Sequence, residues 1–325
     1  MTSTLTGPPL DTAPRTASAN IDDFAVPTGR EEEWRFAPMD AIAPFLHADA
    51  GAGTLTADES AHVAVVPVDR SAAWLPTDRA AAVAYAGAAS TVRVSIAADS
   101  EHAEPIVVRL RANAPRSYGH VVIDAGRHSR ATVVVVHDTS ADTAGAIVTT
   151  VGDAAQLTVL SLLDGPATGT HLWQWPASLG RDAQYTAGAL TTGGRTVRIL
   201  PSVRYRAPGG SAELIGAFLA DGDQFLEHRT FVDHDQPHCS SLVVYKGALE
   251  GAGAHTVWVG DVLVRREAVG TQTYEMNRNL ILGDGPRADA VPNLELETGE
   301  IISAGHATAT GKFDEEQLFY LQARG

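Results

Sequence analysis

From residue 105 onward the chain is a succession of short runs rich in Val, Ile, Leu and Thr, among them "PIVVRLRA", "GHVVIDAG", "ATVVVVHD", "QLTVLSLLDG" and "HTVWVGDVLVRRE". Gly, Asp, Asn or Pro interrupts them roughly every 8 to 12 residues, and β-branched alternation with that punctuation is the mark of strands. Sustained over about 200 residues, it is an all-β signal that leaves two architectures: an antiparallel sandwich or barrel, and a solenoid of stacked short strands. The number of runs exceeds what one sandwich uses, which favours the solenoid. The lack of a fixed repeat period counts against it.

The preceding sequence has a different texture. Residues 1–20, "MTSTLTGPPLDTAPRTASAN", offer almost no large apolar side chains to offset the entropy of ordering and read as a mobile, disordered tail. Residues 21–104 read as a small mixed domain of helices and strands: "GREEEWRF" is followed by short helical stretches cut by Pro38 and Pro44, "DRAAAVAYAGAAS" is helical by alanine content, and "STVRVSIAA" alternates like a strand. Residues 105–325 then form the β core domain.

Charge and cysteine content narrow the function classes. With 39 acidic against 24 basic residues and a net charge of -15, the chain repels phosphate backbones and anionic bilayers, so neither nucleic acid nor membrane is an expected partner. A single cysteine cannot form an intrachain disulfide, and the N-terminus lacks the basic and apolar regions of a signal peptide. A cytoplasmic location is the expectation.

The stretch "FVDHDQPHCSSLVVYKG" holds His234, His238 and the lone Cys239. Ligands of one ion must converge to about 2 Å from its centre. Residues four apart on a strand are separated by roughly 13 Å, and Pro237 opposes the helix that would bring the two histidines together. The order His-x5-His-x3-His-Cys from His228 matches no zinc-finger or zincin spacing. These histidines read first as turn or strand-edge residues, and Cys239 as a small buried hydrophobe. A solenoid offers one longer-range option, in which His234 and His255 stack about 4.8 Å apart on neighbouring coils. A self-sufficient metal site on His234, His238 and His255 would follow from it.

Two other motifs carry possible chemistry. "GHATATGK" superficially resembles a phosphate-binding loop, but the glycine spacing is wrong and Phe313 stands where Ser or Thr would hold magnesium. "NLELETGE" places Glu295 and Glu297 on one face of a strand, the kind of carboxylate pair that glycoside hydrolysis needs. A β-solenoid carbohydrate-active enzyme is therefore the alternative reading.

At the C-terminal third, "HDQPHCSSLVVYKGAL", "HTVWVGDVLV" and "TQTYEMNRNLILGDGPRADAVPNLELETGEIISAGHATATGKFDEEQLFYLQARG" resemble, in order and spacing, the core of the SufB/SufD family of iron-sulfur cluster assembly proteins. "GREEEWRF" is similar to that family's N-terminal motif. Asn277 stands where SufB-like chains carry a ligand cysteine, and His306-Ala307 where they carry His-Glu, so the resemblance is to the SufD branch.

The resemblance implies a right-handed parallel β-helix with a small N-terminal α/β domain and a C-terminal helical segment, of which the part beyond "LQARG" is absent from this sequence. It implies a scaffold subunit rather than an enzyme, belonging to the SufBCD complex. The chain would pair with SufB through the two β-helices, share a transient iron-sulfur cluster with it, and receive support from the ATPase SufC. ATP would be bound by SufC, whose docking segment is largely missing here; alone, the chain would have a homodimer open to it. His306 is the expected interface ligand, since neutral imidazole binds iron and a partner thiolate would complete a mixed site. Gly305 beside it is expected to let the backbone turn, and Cys239 stays structural because the sulfur-accepting cysteine belongs to SufB.

Overall fold

Successive side chains of a strand point to opposite faces, and the valine-rich runs follow this. Along Arg130–His137, Ala131, Val133 and Val135 are buried while Thr132, Val134 and Val136 are only partly covered. One face of every run therefore demands a partner.

A computed structural model describes residues 16–49, 51–68, 74–312 and 315–324. The expected tail falls mainly on residues 1–15, outside the described residues. Of the remainder, the Ser18 N–H donates to the Pro76 carbonyl at 3.0 Å.

The strands wind into a parallel β-solenoid of about eight turns, each turn giving one strand to each of two facing sheets. The first sheet contains β3 (Ser90–Ile96), β5 (Arg116–Ala125), β7 (Asp142–Val151), β9 (Thr170–Leu179), β11 (Thr196–Tyr205), β13 (Phe225–His234), β15 (His255–Val264) and β17 (Arg287–Leu296). The second contains β4 (Ile106–Ala112), β6 (Arg130–His137), β8 (Gln156–Leu163), β10 (Gln184–Thr191), β12 (Ser211–Ala220), β14 (Ser240–Glu250), β16 (Gln272–Leu282) and β18 (Ser303–Lys312). Between them lies a continuous core that includes Val121, Val133, Trp175, Tyr205, Phe218, Tyr245 and Trp258.

Coil length varies. The step from Arg116 to its neighbour Asp142 on the next coil is shorter in sequence than the step from His255 to its neighbour Arg287. The extra residues are shared between a longer corner, 265–271 against 126–129, and a longer strand, β16 against β6, so pairing register survives while the sequence period does not. One corner repeats a left-handed residue from coil to coil, at Asp99, His128, Ala154, Asp182 and His238. Each donates its N–H to the next coil, as His128 does to Asp153 (2.8 Å) and His238 to Val269 (2.8 Å).

The two ends of the coil differ. At the start, β1 (Gly53–Thr56) pairs antiparallel with β4, and β2 (Val63–Pro67) pairs antiparallel with β3. Helix α1 (Met39–Ile42) precedes them. The longer helix α2 (Arg79–Gly87), capped by Asp78 whose Oδ1 accepts from the Ala81 N–H at 2.7 Å, packs Ala80, Val83 and Ala84 with Trp34, Ile42 and Phe45 on the outer face of the first sheet. At the far end, no strand among the described residues pairs with the outer edges of β17 and β18. The C-terminal segment is represented by α3 (Glu315–Arg324), which exposes Phe319, Tyr320 and Leu321. No helix among the described residues is long and apolar enough to cross a membrane.

Candidate functional site

The open end of the coil is where the interior turns polar. Along β16 the inward positions are Thr273, Glu275, Asn277 and Asn279, all buried, while Tyr274 and Arg278 point outward. Parallel register with β18 sets Glu275 beside His306, Asn277 beside Thr308 and Asn279 beside Thr310.

Glu275 is wholly buried, yet neither carboxylate oxygen has a well-formed hydrogen bond. It reaches across the coil toward Gly260 of β15, where an added Cβ would stand 2.4 Å from Glu275 Oε2 and equally close to the Trp258 ring. Only glycine leaves that space. Burial, aided by the negative charge of Asp261, pushes the Glu275 carboxyl up to about 8, with the peptide of Asn293 pulling it back. The two asparagines do not serve it: Asn277 Nδ2 donates to the Tyr245 carbonyl at 3.2 Å, and Asn279 Nδ2 donates to Asn277 Oδ1 at 2.7 Å.

His306 stands one coil further out, on the last strand. Its Nδ1 is 3.8 Å from Glu275 Oε1, and its side chain is 44% exposed. It sits mid-strand: the turn expected at Gly305 is absent, and an added Cβ at Gly305 would lie 3.3 Å from the Tyr274 ring. The arrangement is an imidazole open to the outside with an unsatisfied carboxylate behind it. The same strand rules out a phosphate cradle in "GHATATGK", because a backbone extended over Ser303–Lys312 cannot wrap an anion.

The other expected pairings are corrected by the register. His234 lies beside Val264, and His255 beside Phe225 and Arg287, so the stacking of His234 on His255 does not occur. The coil there runs from Phe225 to His255, a longer advance than the step from His234 to His255 that the pairing required. His234 is buried inside, its Nε2 2.9 Å from Ser241 Oγ and its ring stacked on Tyr205 at 4.9 Å. His255 pairs with Asp289 instead, Nε2 to Oδ2 at 2.7 Å. With His238 at a corner, the three histidines do not converge, and among the described residues no group of three or more His, Cys, Asp or Glu is placed to hold a metal.

Cys239 is buried, its thiol pushed up by that burial, with Sγ 3.8 Å from the Ala207 carbonyl. That environment is the one a packing cysteine has, since a reactive thiol needs a lowered titration and exposure. The carboxylate pair is also corrected: β17 ends at Leu296, so Glu297 is off the strand, and its Oε2 accepts from the Arg266 N–H at 3.2 Å.

Comparison with known proteins bears on this geometry. A sequence model described as "SUF system FeS cluster assembly, SufBD core domain" matches residues 108–325. An iron-sulfur cluster assembly SufBD family protein of Mycobacterium leprae is 43% identical, covering 95% of this chain and 83% of its own length. One from Mycobacterium tuberculosis is 41% identical, with 95% and 82% covered. The iron-sulfur cluster assembly protein SufD of Escherichia coli is 25% identical over 45% of this chain and 34% of its own length.

Proposed function

Because the chain belongs to the SufBD family of iron-sulfur cluster assembly proteins, we propose that it is a SufD-type scaffold subunit. It pairs through the open edges of β17 and β18 with a SufB-type chain and presents His306 to a cluster built at their shared surface. The observation that carries this reading is the asymmetry of the coil: one end is capped by β1 and β2, and the other combines strand edges unpaired among the described residues with the exposed imidazole. Unpaired edges invite strand addition, and a second coil ending in the same way would satisfy them.

In this reading the cluster is cargo and the chain turns nothing over itself. Cluster assembly draws on ATP bound by a SufC-type partner that approaches the C-terminal helical segment, of which α3 is the described part. The chain works in the cytoplasm, where thiols stay reduced. No observation favours the sugar-cleaving alternative.

The test is anaerobic co-purification of wild type and His306→Ala with a SufB-type partner, reading mass by light scattering together with iron and sulfide content. Both chains are expected to assemble. Losing a ligand is expected to weaken iron retention by about tenfold or more. Failure of the wild type to form a heteromer, or full iron retention by the variant, would overturn the reading.

A further inference from the structure

We infer that Glu275 and His306 together form a two-donor site for a divalent first-row metal ion, Glu275 being the buried ligand behind the exposed imidazole. The inference deepens the reading of His306 as an iron ligand and rests on it.

The first ground is the state of Glu275. A buried polar group without a partner is costly, and a buried carboxylate more so. Neither oxygen has a well-formed hydrogen bond, the Asn293 peptide alone favouring the charged form; the neighbouring asparagine amides are committed elsewhere, and among the described residues its only ion-pair contact is His306. Gly260 meanwhile keeps open the space into which the carboxylate points. A group seated this way, with only the Asn293 peptide to favour its charge, suits a cation better than it suits the core.

Geometry is the second ground. Two donors bound at about 2.1 Å to one ion stand roughly 3.0–3.4 Å apart. Glu275 Oε1 and His306 Nδ1 are 3.8 Å apart, and rotation of the half-exposed imidazole closes the remainder. The carboxylate is fixed by its rung and the imidazole is free to adjust, so the inner ligand sets the position and the outer one completes it. Carboxylate with imidazole is a donor set for Fe(II) and similar ions rather than for thiolate-seeking Cu(I). Two protein donors leave the other coordination positions facing outward, where a partner's ligands or sulfide would approach.

The experiment is anaerobic titration of the full chain with Co(II), an optical stand-in for Fe(II), followed by Fe(II) competition. It is run on the isolated chain and on its heteromer with the SufB-type partner. Wild type is expected to show visible cobalt bands and a metal-dependent rise in Tm in at least one of the two samples. Glu275→Gln and His306→Ala are each expected to weaken binding about tenfold or more and to lose the rise in Tm. Asp22→Asn, at an exposed carboxylate elsewhere, is expected to bind as wild type does.

Metal binding by Glu275→Gln that matches wild type in both samples overturns the inference. If His306→Ala loses metal in that same experiment, the broader reading of His306 still stands. Binding by His306→Ala that matches wild type overturns both, as does absence of wild-type binding in both samples. Should Glu275→Gln fail to fold, Glu275→Asp keeps the carboxylate a methylene further away and is expected to bind more weakly than wild type; equal binding counts against the site.

Discussion

Between pH 7 and pH 5 the folded chain is expected to lose roughly 5 kcal/mol of stability, through histidines sealed inside the coil. Burial holds His137 and His228 at about 3, and His171 and His234 at about 4, against an ordinary 6.5. Each pairs with a hydroxyl rather than a carboxylate: His137 with Ser161, His171 with Thr143, His228 with Thr191 and His234 with Ser241. Asp142 and the Thr168 peptide favour a proton on His171, and Asp233 favours one on His234, but burial outweighs them. The unfolded chain takes up these protons as pH falls below about 6.5, while the folded chain waits until pH 3–4. Their contribution is therefore fully present above about pH 6.5 and drains away as pH falls toward the folded values.

At pH 5 each histidine accounts for about 2 kcal/mol, and the four for about 8. Glu275 acts in the opposite sense. With its folded value near 8, it is destabilising at pH 7 and returns about 3 kcal/mol as pH falls to 5. The net loss is comparable to the whole stability of a typical domain. Urea unfolding at the two pH values checks it: a large drop in midpoint is expected, and an unchanged midpoint would show that these rings titrate in the native state.

Arg198→Ala is expected to cost about 3 kcal/mol or more and to free the N-terminal motif from the coil. Arg198 on β11 is 1% exposed and pairs with the equally buried Glu227 of β13, Nη1 to Oε2 at 3.1 Å. Its guanidinium lies 4.2 Å from the centre of the Trp34 ring, and Nη1 also donates to the Glu33 carbonyl at 3.2 Å. "GREEEWRF" is thus clamped to the outer face of the first sheet. Removing the arginine leaves Glu227, among the described residues, with Arg229 alone as an ion-pair partner, its Nη1 3.4 Å from the other oxygen. The effect is read as a lower urea midpoint together with faster proteolysis around residues 24–40. The double change Arg198→Met with Glu227→Leu is expected to regain much of the stability, since an apolar pair replaces a buried ionic one, but not the protection of the motif. Equal protection in that double variant would mean that apolar packing alone docks the segment.

The strands are legible in the sequence because burial follows period two, as in Val133 and Val135 of β6. The solenoid is not legible from spacing, because corners and strands both change length from coil to coil, as the steps from Arg116 to Asp142 and from His255 to Arg287 show. Neighbours on adjacent coils therefore cannot be counted off. That is also why the pairing of His234 with His255 fails: strand register sets which residues share a rung, and sequence distance does not. His306 emerges only through family resemblance, since one histidine in a Gly- and Ala-rich run carries no chemistry of its own. Glu275 is hidden for a physical reason. In "QTYEMNRNL" the alternation is inverted, with Thr273, Glu275, Asn277 and Asn279 inside and Tyr274 and Met276 on the outer face. Polarity pattern gives the period of a strand but not which face is enclosed. The signal that could have found it is four polar residues in strict alternation, one coil before the segment that holds His306.

The open end explains these features together. In the proposed reading, a coil capped at one end and, among the described residues, unpaired at the other offers half of an interface, and the polar lining with His306 at its rim gives that interface something to hold. The most direct measurement is hydrogen exchange of the chain alone and mixed with a SufB-type partner. The account predicts that protection gained on mixing concentrates in residues 287–312, the strands β17 and β18, while the capped end at residues 53–67 is unchanged. Protection that falls on the capped end or the outer face of α2, or no protection anywhere, would contradict it.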